Sequence, residues 1–456
     1  MGSDEAALDA VRPRSGKLLR VLGVGFGLAI VVGGAIGSGI LGSPGLIAAR
    51  LNDPVLIIAV WLMGGLYALL GANCQAELAT MLPRAGGPYV YARRAYGDYA
   101  GFALGWGDWL QYTLAQAAIL ALFAEYVATL VPAIGGHSGA IAAGTTLGFA
   151  VLHGTGVRSG SAAQQLTSAV KVLALIGFVA ACFWFGDSAA ANHARSAPAG
   201  APSRWPVLLL AIVVSMQLVM QTYSGWNSAV YFAEEDVNPG RNLPRALFGG
   251  VFVVAAVYVL VNLAYLHVLP METFGKSRLP AADAMQAVFG GRGGQIVTLL
   301  AALSLLGILN GGFMNAPRIL FSLGRDGWFT ARAQTVNAGG TPIVALLVTA
   351  ALMLGLTLGG TFEKLFLLAA FFGVLLDATV ATSLFVLRRR EPALPRPFKA
   401  WAYPLAPLLY ALGAVALFAG FLIDDFTRSL MPMALVAATY PVYRLVRRRQ
   451  RTATPG

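Results

Sequence analysis

The residues of this chain that could do chemistry are few and lie inside apolar runs. VGGAIGSGILGSPG sets six glycines and a proline into Val32–Gly45. MQTYSGWNSAV, with Gln217 just upstream, leads Gln221 and Thr222 into Ser224-Gly225. Each glycine costs a helix about 1 kcal/mol relative to alanine. An interrupted helix frees carbonyl and N–H groups, and at lipid depth those need a cavity or a ligand to satisfy them. Glycines can also serve close helix packing alone. Two such stretches with polar residues at matching places favour paired breaks around one polar site.

Two charges also lie deep in apolar runs. Lys171, in SAVKVLALIGF, stands nine residues after Ala162, which is about 14 Å along a helix and near the middle of a core about 30 Å thick. A charge there costs at least about 2.5–3.5 kcal/mol, so Lys171 should face the protein interior. Asp377, in FFGVLLDATVATSL, reads either as a contact for a polar substrate or as a hydrogen-bonded packing residue. Asp108 and Glu125 are expected nearer the membrane faces, and Glu77 as a structural hydrogen-bonding residue. Asn310 and Asn315 are polar enough to line a cavity, or to join helices. The acidic run Glu234-Glu235-Asp236 is expected to pair with basic loop residues and offers an inner gate.

Catalytic constellations are missing from the sequence. His137, His153, His193 and His267 lack metal-ligand spacing, no Ser-His-Asp set sits at lipid depth, and no G-x-x-x-x-G-K loop occurs. No cofactor or metal is expected, and an enzyme or an ATP-driven pump is disfavoured. A channel needs a continuous polar pore, which fits the two breaks less well than alternating access does.

The elements that position these residues follow from composition. Of 456 residues, 57% are hydrophobic and 11% charged, against about 25% charged in soluble domains. One soluble core cannot hide so much apolar surface, whereas a bilayer can. Spans of about 20 apolar residues are expected at 21–49, 54–82, 98–131, 137–153, 162–186, 206–233, 246–269, 285–321, 342–359, 364–387, 403–422 and 429–446. All must be helices, since lipid leaves no backbone group unpaired. The net charge of +12 belongs to membrane topology rather than to nucleic acid. With the N-terminus inside, 23 of the 32 Lys and Arg residues fall on the inner side and 8 on the outer, as expected for both termini in the cytoplasm. The chain divides into a cytoplasmic segment (1–20), one transmembrane domain (21–446) and a short disordered tail (447–456). The 188–204 stretch is the expected long outer loop, and no signal peptide is evident. The two interrupted spans are the first and the sixth. That spacing predicts inverted repeats of spans 1–5 and 6–10 with a midplane site between them.

These residues resemble the amino acid–polyamine–organocation transporter superfamily, and within it the bacterial relatives of amino-acid exchanger light subunits and proton-coupled permeases. The resemblance rests on VVGGAIGSGILGSPG, QAELATMLPRAGGPYVYARRAYG, YSGWNSAVYFAEEDVNPGRNLPRAL, NAPRILFSLGRDG and GGTPIVALL, and covers roughly residues 20–450. It implies twelve transmembrane helices: a five-plus-five inverted repeat with discontinuous helices 1 and 6, plus two C-terminal helices. It further implies that Gly37, Ser38 and Gly39 present N–H groups and a hydroxyl to a substrate carboxylate, as a helix N-terminus can. Carbonyls near Ala35, Tyr223 and Ser224, with Gly225, would receive the ammonium group. Gln221, Asn310 and Asp377 are candidate pocket residues.

Lys171 occupies the place where sodium-driven relatives hold a sodium ion. It is expected to bridge spans 1 and 8, either taking part in proton coupling or acting as a permanently charged strut. Many relatives carry an aromatic residue where this chain has Gln221 and Thr222, which would alter the pocket. The proline that often follows the RDG segment is also missing. VPAIGGHSGA, between spans 3 and 4, holds no cysteine, so no disulfide-linked heavy subunit is expected. The implied function is sodium-independent transport of small or neutral amino acids across the cell inner (plasma) membrane by proton symport. Exchange, with cationic amino acids among the candidate substrates, is the alternative, with a non-transporting sensor behind it.

Overall fold

The computed structural model describes residues 17–187, 205–360, 362–424 and 426–453. Most of the N-terminal segment, the 188–204 stretch and the last three residues lie outside them. The described chain is helical, with no β-strand and only two isolated bridges, Leu22 to Asp236 and Val336 to Pro342.

The first half holds α1 (Val24–Ala35), α2 (Gly39–Leu51), α3 (Pro54–Met81), α4 (Pro88–Tyr96), α5 (Asp98–Leu130), α6 (Ser138–Thr155) and α7 (Val157–Phe185). The second holds α8 (Trp205–Tyr223), a 3-10 turn (Ser228–Phe232), α9 (Pro239–Val268), the short α10 (Met271–Lys276) and α11 (Pro280–Phe289), α12 (Gly293–Arg325), α13 (Ile343–Gly359) and α14 (Phe362–Arg390). Two more helices follow, α15 (Leu405–Asp424) and α16 (Phe426–Ala453). Helix starts follow local chemistry. Asp53 Oδ1 accepts the Leu56 N–H at 2.8 Å ahead of Pro54, which caps α3 with a proline in its first turn. Beyond residue 446, where a disordered tail was expected, α16 runs on to Ala453.

Among the described residues, seven helical segments are long and apolar enough to cross a membrane, and the α1–α2 pair, bent by 46° at its break, makes an eighth if it is one span. Ile343–Gly359 and Leu405–Gly420 are shorter apolar helices. Large apolar side chains such as Val55, Leu173, Trp184 and Phe252 stand exposed on the outside, a surface suited to lipid rather than water. This is a multi-pass membrane protein.

Packing places the broken helices at the centre. Helix α1 lies against α7, α9 and α12, and α2 lies against α8. Helix α5 packs along α12 and α14 and closes another side. Helix α15 leans on α14 and α3 at the periphery.

Candidate functional site

The first break spans Ile36, Gly37 and Ser38. Ile36 turns to extended backbone at ψ 108°, and Ser38 starts α2 without using its hydroxyl as a cap. No described hydrogen bond is donated by the N–H of Gly37, Ser38 or Gly39. These are the free donors of a helix N-terminus, with its partial positive charge.

The second break follows Tyr223, where α8 gives way to a turn and then to the 3-10 segment. Gly225 sits there at φ +98°. The two breaks touch through their backbones. A β-carbon on Gly225 would stand 2.6 Å from the Gly34 carbonyl carbon, and one on Gly34 would stand 3.0 Å from Ser228 Oγ. Only glycine permits this approach, and at Gly225 only glycine adopts the φ without strain.

Side chains tie the breaks together. The Tyr258 hydroxyl, from α9, lies 2.7 Å from the Ala35 carbonyl oxygen and 2.8 Å from that of Thr222, its one proton shared between the two broken helices. Thr222 Oγ1 donates to Leu218 O at 2.9 Å and meets Ser43 Oγ at 3.3 Å. Lys171 is buried, and its Nζ donates to Gly33 O at 2.7 Å and Ile36 O at 2.8 Å. It packs on Gly307 of α12. The lysine thus reaches α1 by hydrogen bonds and α12 by contact.

A cavity of about 370 Å³ opens between the breaks. Ala35, Gly37, Ser38, Gly39, Gln221, Ser224 and Gly225 all line it, so most residues singled out from sequence meet in one space. Three do not. The Tyr223 side chain is buried away from the cavity, its hydroxyl donating to Trp61 O at 3.2 Å, so only its backbone is at hand. Asn310 points instead toward α7, donating to Gln164 Oε1 at 2.7 Å and Gly160 O at 3.2 Å. Asp377 lines a smaller adjoining chamber.

Several residues of the site carried no local signal. Tyr112, Gln116, Asn227 and Tyr231 line the cavity beside Asn315, which the sequence had singled out. Asp108 is fully buried and accepts the Tyr231 hydroxyl at 2.9 and 3.0 Å. Its position within α5 measured depth along the helix, while its burial came from the neighbour across the groove. Glu125, by contrast, is exposed.

Past Tyr231 the acidic run seals one end. Glu235 is buried against Arg318, which binds it through Nε and, at 2.8 Å, through Nη2. Burial pushes the Glu235 carboxyl above its ordinary value, with the Arg318 charge pulling the other way. Arg325 Nη1 donates to both Glu234 oxygens at 2.9 Å. Both partners sit on α12, not in a loop. The N–H groups of Val21 and Leu22 donate to Glu235 O at 3.0 Å, and Val237 N–H donates to Leu22 O at 2.9 Å. The approach to α1 is thereby tied to the exit from the second break. Glu77 is structural, accepting from Arg388, Arg396 and the Ala400 N–H.

A site of this kind can bind a zwitterion by its charged ends, with N–H donors on one wall and carbonyls on the other. Among the described residues no group of three or more His, Cys, Asp or Glu could hold a metal ion.

Comparison with known proteins agrees. A family model described as amino acid permease matches residues 26–440. The serine/threonine exchanger SteT of Bacillus subtilis (strain 168) is 28% identical over 443 residues, covering 95% of this chain and 98% of the relative. The large neutral amino acids transporter small subunit 2 of Oryctolagus cuniculus is 31% identical over 416 residues, covering 87% and 74%. The b(0,+)-type amino acid transporter 1 of Homo sapiens is 29% identical over 409 residues, covering 87% and 82%.

Proposed function

Because this chain belongs to the amino acid permease family, and so is a transporter of amino acids rather than an enzyme, we propose that it exchanges α-amino acids across the cell inner membrane by alternating access, independently of sodium. The observation that carries this reading is the backbone contact of Gly34 with Gly225 beside one cavity. Two helices broken against each other leave opposite backbone charges facing the same space. The N–H groups of Gly37, Ser38 and Gly39 would hold the substrate carboxylate. The Tyr223 and Ser224 carbonyls, which accept no described backbone hydrogen bond, would hold the ammonium group. Ala35 contributes less directly, its carbonyl being engaged by Tyr258.

Sodium independence is supported by Lys171. Its ammonium group already satisfies two carbonyls at the first break, where a bound cation would otherwise serve. A lysine held by two strong acceptors acts as a charged strut. Exchange is also what the printed name of the Bacillus relative describes.

The reading extends to twelve spans, with spans 1–5 and 6–10 as inverted repeats and both termini in the cytoplasm. The seven long apolar helices, the broken pair and the shorter apolar helices support it. Epitope tags at the two ends should then react only in permeabilised cells, and an end labelled from outside would refute the topology.

Proton symport is the second reading, and one observation favours it. Asp108 is a buried carboxylate linked through Tyr231 to the cavity wall, a position from which protonation could be coupled to occupancy. Purified protein in proteoliposomes decides between them. Exchange predicts uptake of labelled amino acid only into vesicles preloaded with unlabelled amino acid, unaffected by a pH gradient. Uptake into empty vesicles driven by an inward proton gradient would establish symport. Neither, with ligand-induced thermal stabilisation intact, would leave a sensor.

A further inference from the structure

The cavity has a side chamber. A space of about 110 Å³ adjoins it, and Gln111, Gln221, Ser224, Gly225 and Asn227 border both. Its far wall carries Asp377, from α14, whose neighbour is the Tyr410 hydroxyl. Among the described ion pairs Asp377 has no basic partner. The remaining walls include the apolar side chains of Met220, Val374, Leu376 and Leu417.

A carboxylate deep in a membrane protein is costly unless a cation or strong donors meet it. Here the protein surrounds it with amide side chains, an apolar sleeve and an opening toward the two breaks. We propose that the chamber takes the side chain of a cationic amino acid of ornithine or lysine length, with Asp377 as its counter-charge. This rests on the transport reading above. A substrate held by its carboxylate and α-ammonium groups between the breaks has its side chain free to cross the Ser224-Gly225 edge. Ornithine's side chain offers three methylenes and one terminal ammonium group. The methylenes would lie along Met220 and Leu417, and the ammonium group would reach the carboxylate.

The test is competition against a labelled amino acid bound to the purified full chain, with ornithine set against norleucine, its neutral counterpart in side-chain length. The wild-type protein should prefer ornithine by at least about tenfold, the lower range for a buried charge pair. In D377N that ratio should fall to within about twofold. The ratio is taken within each variant, so a general weakening of binding does not affect it. Equal competition by ornithine and norleucine in the wild type, or a ratio unchanged in D377N, overturns the proposal and leaves amino-acid exchange standing. If D377N does not fold, the wild-type ratio decides alone. If no α-amino acid binds or exchanges at all, the transport reading falls with it.

Discussion

At the scale of single residues, Lys171 and Tyr258 hold backbone carbonyls of the broken helices. Lys171 is the strongest case. Its two acceptors, Gly33 O and Ile36 O, lie on either side of the first break, so the ammonium group fixes the point where α1 ends. Removing it leaves two buried carbonyls unpaired, at about 1–3 kcal/mol each. Lys171→Met should therefore lower thermal stability and exchange rate together. As a strut, the lysine predicts a loss of equal size from pH 5.5 to pH 8. A variant whose deficit vanished at one end of that range would show titration instead. Tyr258 acts in the same way from α9, one hydroxyl serving a carbonyl on each broken helix.

At the scale of elements, the decisive feature is that two interrupted helices share one contact. Gly225 meets the Gly34 peptide within van der Waals distance, and its φ of +98° is open only to glycine without strain. Gly225→Ala must therefore separate α1 from the α8 break or distort the turn. Displacing a binding group by about 1 Å costs on the order of 100-fold in related catalytic settings. Exchange by G225A should fall on that scale while the protein still purifies as a monodisperse species. Gly144, where a β-carbon would meet nothing, supplies the control: Gly144→Ala should change transport little. Equal activity in the two variants would remove the contact from the mechanism.

At the scale of the whole molecule, two ion pairs past Tyr231 join distant parts of the chain. Arg318 with Glu235 and Arg325 with Glu234 connect α12 to the segment after the second break, and Glu235 O also receives the Val21 and Leu22 N–H groups. Alternating access requires this end to open. Cutting a buried pair costs about 3–5 kcal/mol. Glu235→Gln should therefore destabilise the closed end, which a thiol reagent would report through faster labelling of a cysteine placed at Ser228 on the cavity wall. Labelling no faster than in the parent would place the gate elsewhere. The Glu77 cluster is a different kind of link. It anchors the proline-broken stretch before α15 to α3 and contributes to stability.

Much of this was legible in the amino-acid order because it depends on local or one-dimensional properties. Apolar run length calls for helices in a bilayer. Glycine density located the first break, polar residues leading into Ser224-Gly225 located the second, and the depth of Lys171 along its run placed it in the interior. The motif residues Gly37, Ser38, Gly39, Ser224 and Gly225 lie in one cavity because each sits at a break. Other facts depend on what stands across a groove. Asp108 is buried because Tyr231 faces it, Asn310 turns to Gln164, and Tyr223 turns to Trp61. Arg318 finds Glu235 across 83 residues of sequence. Such pairings come from the rotation and packing of helices far apart in the chain, which hydrophobic pattern does not encode when nearly every face is apolar. The sequence by itself determined that this protein lives in a membrane and where its helices give way. Only the tertiary structure decided which carbonyls are already occupied, which remain open to a ligand, and that Asp377 looks into a chamber.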